Sequence, residues 1–76
     1  MWSEVNGQLC KKFVFNDFVE AFSFMKEVAE IAESIQHHPS WTNVYNVVEI
    51  RLSTHDAGNT ITDKDHQLAE LIDAVH

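Results

Sequence analysis

Three of the five histidines in this chain of 76 residues occupy positions at which they could perform acid–base chemistry. His37 and His38 are adjacent and precede Pro39, and His55 follows in the next part of the chain. Imidazole has an ordinary pKa of about 6.5, so it can both donate and accept a proton near neutral pH. Two such rings on opposite sides of one pocket could perform both proton transfers of a single turnover.

Two other chemistries are less well matched by the residues. Zinc accepts three histidines in catalytic sites, but adjacent histidines usually point apart and the chain has no His-x-His or His-x-x-x-His pair. Nucleophilic catalysis is disfavoured because Cys10 lies far from the histidines in sequence and no Gly-x-Ser-x-Gly motif is present. His66 and His76 are interpreted as solvated helix residues without a role.

The first element that must position these residues is a predicted β-hairpin in "WSEVNGQLCKKFVF". Asn-Gly is the strongest short hairpin signal because both turn positions require a positive φ. Alternation places three apolar side chains on one face of the second strand, namely Leu9, Phe13 and Phe15. Lys11 interrupts that face, and we expect it to lie near Glu4 across the turn.

A long helix is predicted next, over "NDFVEAFSFMKEVAEIAESIQ", with Asp17 and Glu20 in a capping box and Pro39 beyond its end. It carries two apolar stripes at helical spacing. The stripes are Phe18, Phe22, Met25, Ala29, Ala32 and Gln36, and Phe24, Val28, Ile31 and Ile35. Two stripes are wide for a helix that covers only one sheet, so either the groove is deep or one stripe contacts another helix in an oligomer.

A second hairpin, "SWTNV" and "VVEIRLST", turns near Tyr45-Asn46 and returns His55 to the neighbourhood of His37. Val48, Ile50 and Leu52 face one way, and Glu49, Arg51 and Ser53 the other. After a loop, "HDAGNT", Thr62 and Asp65 begin a last helix whose apolar face is Leu68, Ala69, Ile72 and Val75. The order β-β-α-β-β-α predicts an α+β two-layer sandwich, with a four-stranded antiparallel sheet and the helices on one face.

Composition narrows the functional classes. We expect residues 1–76 to form a single domain, and so small a core favours self-association. Five Lys and Arg against twelve Asp and Glu, a net charge of −7, argue against nucleic-acid partners and an anionic membrane. There is no apolar run of about 18 residues and no signal-peptide pattern at the N-terminus. Together with the single cysteine, these features predict a cytoplasmic protein.

The spacing of several polar residues resembles the signature of pterin-4a-carbinolamine dehydratases, also called 4a-hydroxytetrahydrobiopterin dehydratases. The matching residues are Glu33, His37-His38-Pro39, Tyr45, His55 and Asp65, and the similarity extends over nearly the whole chain. Two departures stand out. Most members carry an additional helix before the first strand, whereas this sequence starts almost at the strand, and the loop after His55 is one residue longer than in many members.

The resemblance implies a hydro-lyase of tetrahydrobiopterin recycling, which removes water from 4a-hydroxytetrahydropterin to give quinonoid dihydropterin. It implies no metal, nucleotide or electron carrier. Members of the family are dimers or tetramers, and they work in the same pathway as aromatic amino acid hydroxylases. The resemblance also implies that His37 and His55 form the acid–base pair and that His38 holds the pterin. Substrate contacts extend to Pro39, Ser53, Thr54 and Asp56.

Four further residues have two interpretations each. Glu33 either anchors a histidine or is solvated, and Trp41 either flanks the pterin or belongs to the core. Tyr45 either packs in the hairpin or contacts the ligand, with packing favoured, and Asp65 caps the last helix and can also orient His55 or His37. The alternative function is a non-catalytic dimerisation or assembly module, or a transcriptional coactivator, as some relatives are. Its contact surface would then include Phe24 and Ile31.

Overall fold

The computed structural model describes residues 1–76, and its element order is the predicted one. The strands are β1 (Ser3–Val5), β2 (Gln8–Val14), β3 (Ser40–Val44) and β4 (Val47–Leu52). The helices are α1 (Phe18–Ser34) and α2 (Asp63–Val75), and a short 3₁₀ turn covers His55–Ala57. Neither helix is both long enough and apolar enough to span a membrane.

The four strands form one antiparallel sheet in the order β1-β2-β4-β3. The register between β2 and β4 places Leu9 opposite Leu52 and Phe13 opposite Val48. Directly opposed residues lie on the same face of a sheet, so these side chains form one apolar layer. The predicted fold, with both hairpins in place, is therefore confirmed.

Both helices pack on this apolar face. Their buried side chains and those of the sheet form a single cluster of twelve residues, Leu9, Phe13, Ala21, Phe24, Val28, Ala32, Val48, Ile50, Leu52, Leu68, Ala69 and Ile72. Burying a large aliphatic side chain contributes about 1.5–3 kcal/mol. No helix covers the opposite face of the sheet, on which Lys12 of β2 lies directly opposite Glu49 of β4.

The assignment of Phe24 and Ile31 to a contact surface was wrong. Phe24 is only 4% exposed, and its ring lies 4.8 Å from that of Phe13 and 5.0 Å from that of Phe15, measured between centroids. Ile31 is half-buried against the same core. The exposed aromatic residues of α1 are instead Phe18 and Phe22 of the other stripe. Periodicity alone defines two stripes, and only the docking of the helix determines which one meets the sheet.

The turn between β1 and β2 has the geometry that Asn-Gly predicts. Asn6 has φ +52° and Gly7 has φ +76°. A Cβ atom built on Gly7 would lie 3.3 Å from the backbone carbonyl oxygen of Asn59, a closer approach than most Cβ contacts. Both the backbone conformation and the space at this position therefore favour glycine.

Two polar side chains at the helix–sheet interface differ from expectation. The Lys11 ammonium donates to Asp73 Oδ1 of α2 at 2.8 Å and does not pair with Glu4, although both residues lie on the face of the sheet that the helices cover. Its stem can follow apolar surface while the charge reaches a carboxylate. The His76 ring is not simply solvated either, since it packs edge-on against Phe13, Phe15 and Phe24.

Candidate active site

A cavity of about 240 Å³ lies where the C-terminus of α1, the end of β4 and the N-terminus of α2 meet. No apolar side chain lines it. The lining residues are Gln36, His37, His38, Ser53, Thr54, His55, Asp56 and Lys64. The structure therefore brings the three predicted histidines to one cavity, together with the whole Ser53–Asp56 stretch.

The end of α1 directs the first two histidines. Gln36 has φ +52°, and the backbone N–H groups of Gln36 and His37 donate to the carbonyl oxygens of Glu33 and Ala32 at 3.2 and 3.1 Å. This is a Schellman termination, in which glycine usually occupies the left-handed position. A residue with a Cβ atom costs about 1–2 kcal/mol in that conformation. The turn reverses the chain so that His37 and His38 face different partners.

His37 is held by a buried carboxylate. Its Nε2 lies 2.6 Å from Oδ1 of Asp65, and the two side chains are 11% and 0% exposed. An ionised carboxylate can only accept a hydrogen bond, so Nε2–H donates to it. In the neutral ring the remaining nitrogen, Nδ1, then carries the free lone pair.

Asp65 is itself fixed by three donors. Its Oδ2 accepts from the Thr54 hydroxyl at 2.8 Å and from the Thr62 backbone N–H at 2.9 Å, and the predicted Thr62–Asp65 capping box is present. Burial alone would raise the pKa of Asp65. The hydrogen bonds from His37, Thr62 and Thr54 outweigh it and hold that pKa below its usual range. Asp65 thus both caps α2 and orients His37.

His38 faces outward to Glu33. The distance between Nε2 and Oε1 is 2.8 Å, and both side chains are exposed. The hydrogen bond from His38 lowers the pKa of Glu33. Because an exposed ion pair of this kind contributes little to stability, the main effect of Glu33 is to orient the ring at the rim of the cavity.

His55 begins the 3₁₀ turn that follows β4. Its Nδ1 lies 3.2 Å from Oδ1 of Asn59, and no other side chain of the protein bonds to the ring. The predicted loop is ordered by backbone bonds, from Thr54 N–H to Thr60 at 2.8 Å and from Asn59 N–H to Thr54 at 3.0 Å. Gly58, in the left-handed region, closes the turn.

Five predicted site residues lie outside the cavity lining: Glu33 and Asp65 bond the lining histidines, and the other three are Trp41, Tyr45 and Pro39. Trp41 stands opposite Ile50 and packs against the core, which agrees with the second of its two interpretations. Tyr45 is exposed in the turn at the far end of the hairpin from His37 and His55, since each strand residue advances the chain by about 3.3 Å. Pro39 precedes β3 and does not line the cavity.

Three residues near the cavity were not predicted from the sequence, namely Gln36, Lys64 and Asn59. Lys64 could have been found, because it lies in the first turn of α2 next to Asp65, which the capping box located. Asn59 and Gln36 gave no such signal, since each depends on a left-handed backbone conformation at a residue other than glycine.

The imidazoles share a cavity without converging on one point. No group of three or more His, Cys, Asp or Glu side chains is arranged to hold a metal ion. His37 and His55 each use one ring nitrogen for a side chain of the protein and leave the other without a side-chain partner. The arrangement therefore suits proton transfer to and from a polar ligand in the cavity.

Comparison with known proteins gives a consistent match. The family model described as pterin 4 alpha carbinolamine dehydratase matches residues 1–75. A protein of Prochlorococcus marinus, provisionally named pterin-4-alpha-carbinolamine dehydratase, is 55% identical over 74 residues, covering 97% of this chain and 76% of its own. A protein of Nitrobacter hamburgensis with the same provisional name is 51% identical over 76 residues, covering 97% and 74%.

Two solved structures share the fold. A transcriptional coactivator/pterin dehydratase from Brucella melitensis superposes with a TM-score of 0.91 at 38% identity, covering 97% of this chain and 80% of its own. A pterin dehydratase-like protein identified as a RuBisCO assembly factor of the alpha-carboxysome has a TM-score of 0.79 at 20% identity, covering 99% and 86%. The second match supports the fold alone.

Proposed function

Because this chain belongs to the pterin-4-alpha-carbinolamine dehydratase family, we propose that it removes water from a 4a-hydroxytetrahydropterin by histidine acid–base catalysis. The observation that carries this proposal is the placement of His37 and His55 on one polar cavity, each with a ring nitrogen not used by a protein side chain. The substrate would be a small polar heterocycle, and the product the quinonoid dihydropterin.

The reaction needs two proton transfers and no change of oxidation state. One imidazole removes the proton from N5 of the pterin, and the electron pair of that N–H bond forms the N5=C4a double bond. The C4a–O bond breaks, and the other imidazole, as imidazolium, delivers a proton to the departing hydroxyl, which leaves as water. General acid–base catalysis of this kind contributes about 10²–10⁴-fold for a well-placed group.

The other lining residues would bind and orient the ring. His38, turned towards the rim by Glu33, is proposed to hold the pterin, with contacts from Ser53 and Asp56. The Thr54 hydroxyl bonds Asp65, and its backbone N–H and carbonyl bond other residues of the loop, so we assign Thr54 to the support of His37. Pro39 fixes the approach of the chain to β3.

Stopped-flow absorbance tests the proposed activity. A phenylalanine hydroxylase generates the 4a-carbinolamine in situ, and its decay is recorded with and without catalytic amounts of this protein. Faster decay than the spontaneous baseline supports the dehydratase. Unchanged decay with a folded sample would contradict it and would favour a binding role for the cavity.

We further propose that the protein acts as a homodimer or homotetramer in the cytoplasm, without nucleic-acid or membrane partners, and beside an aromatic amino acid hydroxylase whose product it consumes. The net charge of −7 and the single free cysteine support this setting. No cofactor takes part in the proposed steps.

A second candidate function, as an assembly module, is favoured by the exposed aromatic pair on α1. Phe18 and Phe22 are 46% and 49% exposed, and their ring centroids are 5.9 Å apart. Aromatic side chains are enriched at protein–protein interfaces, and contiguous exposed apolar patches often mark such sites. The pair lies on α1 away from its core-facing stripe, so a contact there is compatible with an open active site.

Replacing Phe18 and Phe22 together with serine is expected to reduce a dimer to the mass of one 8.7 kDa chain, or a tetramer to a smaller assembly, as measured by light scattering. Leu71→Ser on α2, a change of similar chemistry at a 37% exposed position, is the matched control and should leave the mass unchanged. An oligomer of unaltered mass in the double variant would exclude this pair as the contact.

A further inference from the structure

His55 differs from the other two histidines of the cavity in the kind of group that holds its ring. His37 and His38 bond carboxylates, whereas His55 Nδ1 bonds the side-chain amide of Asn59 at 3.2 Å. Asn59 is four residues further on, in the left-handed region with φ +59°. Asparagine is one of the few residues besides glycine that adopt this conformation readily.

The loop holds Asn59 in place through its backbone. Its N–H donates to the Thr54 carbonyl at 3.0 Å, and the neighbouring Thr60 carbonyl accepts from Thr54 N–H at 2.8 Å. Thr54 is buried and is the residue immediately before His55. The buried residue Thr54 therefore positions both Asn59, through hydrogen bonds of the loop backbone, and His55, which directly follows it in the chain.

The chemistry of the pair favours one orientation of the amide. If the carbonyl Oδ1 faces the ring, it accepts from Nδ1–H whether His55 is neutral or protonated. If the amide NH₂ faced the ring, the contact would exist only in the neutral form, because an imidazolium has no acceptor. The structure places Oδ1 towards Nδ1, which is the orientation that keeps the contact in both forms of the ring.

We propose that Asn59 is a positioning residue for His55, whose side-chain carbonyl fixes the neutral ring as the Nδ1–H tautomer and so assigns proton exchange to Nε2. The role of that exchange in dehydration depends on the function proposed above, whereas the tautomer does not. Unlike a carboxylate, the amide orients the ring without placing a negative charge beside it.

Imidazole ¹⁵N NMR of protein labelled in its histidines tests the tautomer directly. In the wild type at a pH where the ring is neutral, His55 should show a protonated Nδ1 and an unprotonated Nε2. Asn59→Gly tolerates the left-handed backbone and removes the amide, so the ring should become a mixture of both tautomers. Asn59→Asp keeps an acceptor and should restore the Nδ1–H form, with the His37 signals unchanged in both variants.

The rate of pterin dehydration supplies a second readout. Loss of one hydrogen bond of about 0.5–1.5 kcal/mol predicts a fall of roughly two- to tenfold in Asn59→Gly. An Nε2–H tautomer of His55 in the wild type, or an unchanged tautomer in Asn59→Gly, would overturn the proposal. If Asn59→Gly does not fold, Asn59→Ala, which also lacks the amide, replaces it with the same expected mixture of tautomers. A fixed Nδ1–H tautomer in a protein without dehydratase activity would instead contradict the proposed function alone.

Discussion

Replacing both His37 and His55 with alanine is expected to remove the acceleration of carbinolamine dehydration almost completely. Each single replacement should lower kcat/KM by about 10²–10⁴-fold, because it deletes one of the two proton-transfer groups. The double variant should show no more than the spontaneous rate. Stopped-flow decay of the 4a-carbinolamine, with kcat and KM determined separately, provides the measurement.

The fold should survive these changes at some cost in stability. His55 is exposed, so its loss costs little, whereas loss of His37 deprives the buried carboxylate of Asp65 of one donor. The lost hydrogen bond lowers the free energy of unfolding by about 1–3 kcal/mol, whereas the bonds from Thr54 and Thr62 to Asp65 remain. His66→Ala, at an exposed histidine outside the cavity, is the matched control. Full activity in the double variant would refute the histidine mechanism.

Asp65→Asn is expected to produce the second largest loss of activity with only a small change of shape. The amide oxygen can still accept from Thr54 and Thr62, but this leaves its NH₂ group facing His37 Nε2. His37 then has to accept there and carry its proton on Nδ1, which is the wrong tautomer for a base in the cavity. A comparable carboxylate-to-amide change behind a catalytic imidazole costs about 10⁴-fold, so we expect a fall of roughly 10²–10⁴-fold in kcat.

The acid stability of the same variant tests the electrostatic part of the argument. The pKa of Asp65 is lowered in the folded protein, so between that value and the unfolded pKa of about 3.9 the unfolded chain binds more protons. The stabilisation is present above the unfolded pKa and is lost as pH falls through the folded one. Urea unfolding should therefore show the gap between wild type and Asp65→Asn narrowing below about pH 4.

Asp63→Asn is the matched control for both measurements. It makes the same chemical change in the first turn of α2, but Asp63 is exposed and has no part in the cavity. Its activity and its acid stability should follow those of the wild type closely. If Asp65→Asn behaves like Asp63→Asn in activity, the carboxylate does not control the tautomer of His37.

Local signals account for the parts of the fold that were predicted correctly. Two of these signals are the Asn6-Gly7 turn and the Thr62–Asp65 capping box. Each involves residues within about four positions of one another, so its geometry hardly depends on the rest of the chain. The convergence of His37 and His55 follows from the symmetry of a hairpin about its turn. These signals predict the cavity and the histidines that line it without information on tertiary contacts.

What the sequence did not predict depends on long-range packing. The core-facing stripe of α1 is decided by how Phe24 packs against Phe13 of β2 and Phe15, the residue directly after that strand. Lys11 pairs with Asp73, a residue near the other end of the chain. Asp65 had two candidate histidines, and the choice of His37 required the relative placement of α1 and α2.

The close approach of Gly7 to the carbonyl oxygen of Asn59 links the first hairpin to the chemistry of the last loop. The two segments are distant in sequence, yet the turn limits the space into which the loop can move. We therefore expect the length of the loop after His55 and the residue type at position 7 to be coupled, so that a change at one site alters the tolerance for a change at the other.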